Sequence, residues 1–137
     1  MEGMPASCIT SVVAFDFEHK IERALTLGEA REVMAEGHFV WLDLLAGERD
    51  EARAILASFE LLDPEVIEAA LTKEPSTQHA RYEHYLHLVV AECLALGSGF
   101  ELRRLDVVLG ERLFLTIHRT PITFLAALRR DYKNDFV

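Results

Sequence analysis

The stretch LDVVLGERLFLTIHRTPITFLAAL, Leu105 to Leu128, decides the fold. It reads as strand, tight turn, strand, helix. Leu105, Val107, Val108 and Leu109 put apolar side chains on both faces of the first strand, as in a strand covered on both sides. Gly110-Glu111-Arg112 is a short polar break with a glycine, which fits a hairpin turn. Leu113, Leu115 and Ile117 then alternate with Phe114, Thr116 and His118 at the period of two that a strand requires. Thr120 is the expected helix N-cap, and Pro121 stands where a first helical residue can lack its N–H. Ile122, Leu125, Leu128 and Tyr132 follow on one helical face. The rest of the chain is expected to pack around this unit.

Working outward, Phe100 to Leu109 is a strand returning from the turn signal Gly97-Ser98-Gly99. Ala80–His84 and Tyr85–Cys93 are extended, either as one long strand or as a bent pair. The polar segment Lys73 to Gln78 contains Pro75 and reads as a loop. Before it, Asp63-Pro64-Glu65 opens a helix with a cap, a first-turn proline and a first-turn acid. Leu62 and Ile67 have the spacing of a hydrophobic staple across that start. Val66, Ile67, Ala70 and Leu71 supply its buried face. Glu48 to Phe59 is an amphipathic helix with Ala52, Ile55, Leu56 and Phe59 at i, i+3, i+4 and i+7. Phe39 to Leu42 is a buried strand that Asp43 and Leu44 lead into a loop. Leu27 to Ala35 is a short helix with Thr26 as cap and Gly37 past its end. Ile9–Phe17 and Lys20–Leu25 are strands, the first rich in β-branched and aromatic residues. Mixed strands and helices with two consecutive hairpins predict an α/β domain with a mixed central sheet sandwiched by helices, rather than a doubly wound parallel sheet.

The chain has 137 residues and half of them are hydrophobic. That suits one domain, 1–137, with its own core. No stretch approaches the ~20 apolar residues of a membrane-spanning helix. Twenty-three acids against 14 Lys and Arg give a net charge of -9. That balance disfavours nucleic acid and anionic membrane surfaces as partners and is compatible with cations. Cys8 and Cys93 make no disulfide framework, and Cys93 in an apolar strand reads as inert packing. The six histidines include no metal motif; His84 and His87 are three apart in an extended segment and point to opposite faces. No Gly-rich phosphate loop precedes a helix, and no nucleophile elbow is present. The acid-rich helices could offer carboxylates to a hard ion such as Mg²⁺. The residues alone therefore describe a binding or regulatory module rather than an enzyme.

Four segments in succession resemble the cytoplasmic N-terminal domain of CorA-type magnesium transporters. Phe39-Val40-Trp41-Leu42-Asp43-Leu44 resembles the family's Trp-x-Asp strand. Leu62 to Leu71 resembles its Pro-containing Glu-Asp helix, and Arg81 to Val90 resembles its Tyr-x-x-Tyr-Leu-Phe segment. Leu105 to Arg119, with Thr116-Ile117-His118-Arg119, resembles its Thr-x-His hairpin. Order and spacing agree over roughly residues 39 to 132. The resemblance implies a cytoplasmic regulatory domain of a transporter for Mg²⁺ or another divalent metal. It also implies assembly as a pentamer, no tightly bound cofactor, and contact with the membrane only through a pore region outside this chain, which would make the chain an excised domain or a shortened relative. The resemblance implies a regulatory cation site that uses an acidic residue of the Pro64 helix, where Glu-Asp is typical. Here those positions are Glu68 and Ala69, so Glu68 is the candidate metal ligand. A zinc-transporting branch shares this domain, which makes Zn²⁺ the alternative ion. Two other readings are a free-standing interaction module reusing the fold and a metalloenzyme built on the histidines.

Overall fold

The computed structural model describes residues 7–72 and 74–131. Among them, β1 (Ile9–Asp16), β2 (Ile21–Leu25), α1 (Leu27–Ala35), β3 (Phe39–Leu45), α2 (Arg49–Ala57) and α3 (Pro64–Ala70) are followed by β4 (Gln78–Arg81), β5 (Tyr85–Leu96), β6 (Gly99–Gly110), β7 (Leu113–His118) and α4 (Thr123–Asp131). The strands form one sheet in the order β2-β1-β3-β7-β6-β5-β4. Every neighbouring pair is antiparallel except β3 and β7, which run parallel with Val40 opposite Leu113 and Leu45 opposite His118. The chain leaves β3 through α2 and α3, reaches the far edge at β4, and returns by a meander that lays β7 beside β3.

The period of two in β3 and β7 sorts their residues between two layers. Val40, Leu42, Leu44, Leu113, Leu115 and Ile117 face one side, where they pack with Ala30 and Val33 of α1, Ala52 and Leu56 of α2, and Val66, Ile67 and Ala70 of α3. Phe59, just past α2, is buried in the same layer, and Ile55 is half-buried against it. On the opposite side Val13, Phe15, Trp41 and Leu105 pack with Ile122 and with Leu125 of α4. The architecture is thus the expected α/β sandwich around a mixed sheet.

Helix starts follow local chemistry where the sequence carries it. Thr26 and Glu29 form a capping box on α1, each side chain satisfying the other's backbone N–H. Glu48 caps α2 by accepting from the N–H groups of Asp50 and Glu51 at 2.9 and 2.7 Å. Asp63 is the N-cap residue of α3 without a side-chain cap bond; its own N–H donates instead to the Tyr85 hydroxyl at 2.9 Å.

Several boundaries differ from the sequence reading. The Ala80–Cys93 region is neither one strand nor a bent pair. β4 and β5 form a hairpin that turns at Tyr82–His84, closed by Tyr82 N–H on the Tyr85 carbonyl at 2.8 Å with the two rings stacked 4.8 Å apart. β3 continues through Leu45 because β7 pairs with it that far, so Asp43 lies in the strand opposite Thr116. α4 begins at Thr123 rather than at Thr120 and Pro121. The N–H groups of Thr123 and Phe124 donate to the Glu92 carboxylate, both at 3.1 Å, so a strand side chain supplies the cap. Cys93 is exposed rather than packed, because β5 and β6 run on together beyond the sheet as far as Leu96 and Gly99. Gly97 turns that ribbon at φ 57°, a conformation that favours glycine. Leu128 is 40 % exposed, so the buried face of α4 ends at Leu125 among the described residues; Tyr132 lies outside them.

Candidate functional site

Strand lengths create a concave feature rich in arginine. β6 pairs with β7 only from Leu105, opposite His118, to Leu109. Glu101 to Arg104 continue past the end of β7, while Arg119 and Thr120 turn away. The result is a notch of about 220 Å³ lined by residues that include Ala70, Thr72, Glu101, Arg103, Arg104, His118 and Arg119. It lies at the carboxyl end of the parallel pair β3/β7. Crevices outside the carboxyl ends of parallel strands, where connections diverge, are favoured ligand positions in α/β sheets.

One wall is a buried polar network. His118 Nε2 lies 2.9 Å from Asp43 Oδ1, and Nδ1 lies 2.6 Å from the Thr120 carbonyl oxygen. The Thr120 carbonyl accepts, and so does Asp43 when ionised, so the geometry favours a proton on both ring nitrogens. Burial opposes the resulting charge, but the Asp43 hydrogen bond and charge, with the Thr120 carbonyl, outweigh it and raise the His118 pKa above its ordinary 6.5. Thr116 donates its hydroxyl to Asp43 at 2.6 Å and accepts from Trp41 Nε1 at 3.1 Å. Arg129 of α4 covers this group, with its guanidinium 5.1 Å from the Trp41 ring centroid and a hydrogen bond to Ser11.

The other wall is a second buried cluster. Asp106, 1 % exposed, accepts from Arg104 Nε at 2.7 Å and Nη2 at 3.0 Å, and sits 2.8 Å from His87 Nε2. Bidentate pairing of this kind is the strongest carboxylate–guanidinium geometry. Three arginines also fasten the surrounding loops by their Nη1 atoms: Arg103 on the Pro121 carbonyl, Arg104 on that of Glu74 and Arg119 on that of Leu71.

Glu68 stands apart from this notch on α3. Both its carboxylate oxygens accept from Arg53, at 2.7 Å from Nε and 3.1 Å from Nη2, and Arg53 also holds Asp50 at 2.6 Å. The Arg53 hydrogen bonds keep the Glu68 carboxyl below its ordinary range and raise the Arg53 pKa. Among the described residues, no group of three or more His, Cys, Asp or Glu side chains converges as a metal site. His87 and His118 are instead held by carboxylates in two separate layers. The sequence offered a signal for the His118 group, since Asp43 follows a strand and His118 ends one. What it did not offer was the β3/β7 pairing that joins them.

Residues 36–136 match the family described as CorA-like Mg2+ transporter protein. No curated protein matches the chain. Solved structures share the fold. The complete CorA magnesium transporter of Methanocaldococcus jannaschii matches with a TM-score of 0.69 at 16 % identity, over 98 % of this chain and 38 % of that one. The soluble domain of CorA from the same organism gives 0.66 at 14 % identity, over 92 % and 46 %. The ZntB cytoplasmic domain from Vibrio parahaemolyticus gives 0.62 at 10 % identity, over 88 % and 48 %. The chain spans less than half the length of these proteins.

Proposed function

The chain belongs to the CorA-like Mg2+ transporter family, and from that premise we propose that it is the cytoplasmic, cation-responsive domain of a divalent-metal transporter. The observation that carries this is the family match over 36–136, on a fold that keeps nearly the whole chain within the soluble part of the transporter architecture. Among the described residues no helix is long and apolar enough to cross a membrane, so the work of this segment is sought in sensing and assembly. On the side of α4 the sheet stays partly open, with Phe17 and Leu109 exposed and Phe39, Val107 and Phe114 half-buried. That supports a part working against further protein, such as other copies in a pentamer. The encoding gene tests the transporter assignment. Two hydrophobic segments following this domain are expected, and a reading frame without them would overturn it.

Cation sensing at Glu68 is the finer proposal, with Mg²⁺ as the ion and Zn²⁺ as the alternative. A hard divalent ion needs clustered anionic oxygens, and its affinity follows their number. Glu68 is tied to Arg53, and Ala69 brings no second carboxylate. The unaltered chain is therefore expected to gain little thermal stability from millimolar Mg²⁺. Ala69→Asp is expected to enlarge the gain, since an ion that binds only the folded state stabilises it. If Ala69→Asp leaves the melting curve indifferent to Mg²⁺ at every concentration, Glu68 is not part of a cation site.

A further inference from the structure

We propose that the outer edge of β5, from Val90 to Leu96, pairs antiparallel about a two-fold axis with the same edge of a second copy of this chain. The starting observation is a mismatch of strand lengths. β5 pairs with β6 without a break from Tyr85 to Leu96. On its other side β4 covers it only from Leu86 to Val89. Among the described residues, no strand and no loop backbone bonds to the remaining length of that side. Antiparallel ladders alternate, each residue turning both its backbone groups to one neighbour. Tyr82 N–H bonds to the Tyr85 carbonyl across the β4/β5 turn, so Tyr85, His87 and Val89 turn theirs toward β4. Ala91, Cys93 and Ala95 keep that parity beyond the end of β4. Their N–H and C=O groups therefore point outward with no strand to receive them. Exposed edges are ordinarily blunted by lysine, proline or a bulge. The run Ala91-Glu92-Cys93-Leu94-Ala95-Leu96 has none of these and is open to strand addition.

The occupant is a second copy because this edge complements itself. With Cys93 opposite Cys93, Ala91 meets Ala95 and Val90 meets Leu96. Every outward group then finds a partner, and the added strand ends where β4 begins. Glu92, the single charge between Val90 and Leu96, lies opposite Leu94. Displacing the register one way sets Glu92 against Glu92, and like charges directly opposite are destabilising. Displacing it the other way leaves Ala91 unpaired. The side chains agree with this. Leu102 lies beside Cys93 and Phe100 beside Ala95 on β6, and they are 50 % and 78 % exposed. Pairing joins Leu102 and Cys93 of both copies into one apolar row. A self-complementary contact of this kind closes on a pair. It goes beyond the cation-sensing reading and shares no residue with it.

Sedimentation of the full chain under reducing conditions tests this, from micromolar to millimolar concentration, with amide exchange followed by NMR over the same series. A monomer–dimer equilibrium is expected. Exchange at Ala91, Cys93 and Ala95 should slow as dimer accumulates, while Glu92 and Leu94, whose N–H groups face β6, should not change. Ala95→Pro removes one outward donor from each copy and no bond to β6. It is expected to keep the fold and to raise the dissociation constant at least about tenfold. If proline disturbs the ribbon, the exchange pattern of the unaltered chain decides by itself. A chain that stays monomeric, a stoichiometry other than two, protection confined elsewhere, or undiminished association of folded Ala95→Pro would each overturn the proposal.

Discussion

His118 is the residue whose ionisation the fold sets most clearly. Its two nitrogens face the Thr120 carbonyl and the Asp43 carboxylate, and its pKa is raised in the folded chain. The folded state therefore keeps a proton that the unfolded state releases near 6.5. The stability that this ion pair contributes is fully present below that value and is lost as pH rises through the folded pKa. A titration of the His118 ring by NMR is expected to show a midpoint above 6.5; a midpoint at or below it would contradict a geometry that favours both protons. Denaturant midpoints should fall across the same window in the unaltered chain and fall less in His118→Gln. The sequence exposes the histidine but not its partner. Asp43 reads as the exit from a strand, and only the pairing of β7 keeps it in register with Thr116. The anchoring of Arg119 on the Leu71 carbonyl is equally illegible, because it joins the residue after α3 to one 48 positions on.

At the scale of elements, what was legible is what neighbours in sequence decide. The α1 boundaries, the Pro64 start of α3 with its buried Val66, Ile67, Ala70 and Leu71, and the Gly97 turn all follow from spacing within a few residues. α4 shows the limit. Thr120 and Pro121 have the chemistry of a helix start, yet the helix waits until Thr123, where Glu92 of β5 meets its first free N–H groups. A carboxylate at that end also complements the helix dipole. Glu92→Ala should cost about 1 kcal/mol of stability, the usual size of a lost cap, and should speed amide exchange in the first turn of α4. Glu92→Gln keeps an acceptor and should cost less. Unchanged exchange in Glu92→Ala would mean that the cap does not hold α4. The β4/β5 hairpin escaped the sequence for a related reason. Tyr82, Glu83 and His84 lack a Gly, Pro or Asn turn signal, and the turn is held by the stacked tyrosines instead.

At the scale of the whole molecule, the sheet order rests on one junction that no local pattern announces, the parallel contact of β3 with β7. Most strand identities, the α/β class and the hairpin of β6 with β7 could be read from periodicity; the pairing of β3 with β7 could not. That junction also divides the chain in time. β5, β6 and β7 close on one another through short turns, whereas joining Asp43 to Thr116 spans 73 residues. Closing a loop of that length costs on the order of 4 kcal/mol in chain entropy, taken as (3/2)RT ln n, before any side chain is rewarded. The meander should therefore assemble early, with β3 and its helices docking onto β7 late. Val108→Ala, inside the meander, is expected to slow refolding, while Leu42→Ala, buried at the junction, should chiefly accelerate unfolding. Stopped-flow chevrons would show the reverse pattern if β3 and β7 met first. The residues of the notch come from both sides of that seam, so the pocket would be the last part of the protein to exist and the first to be lost.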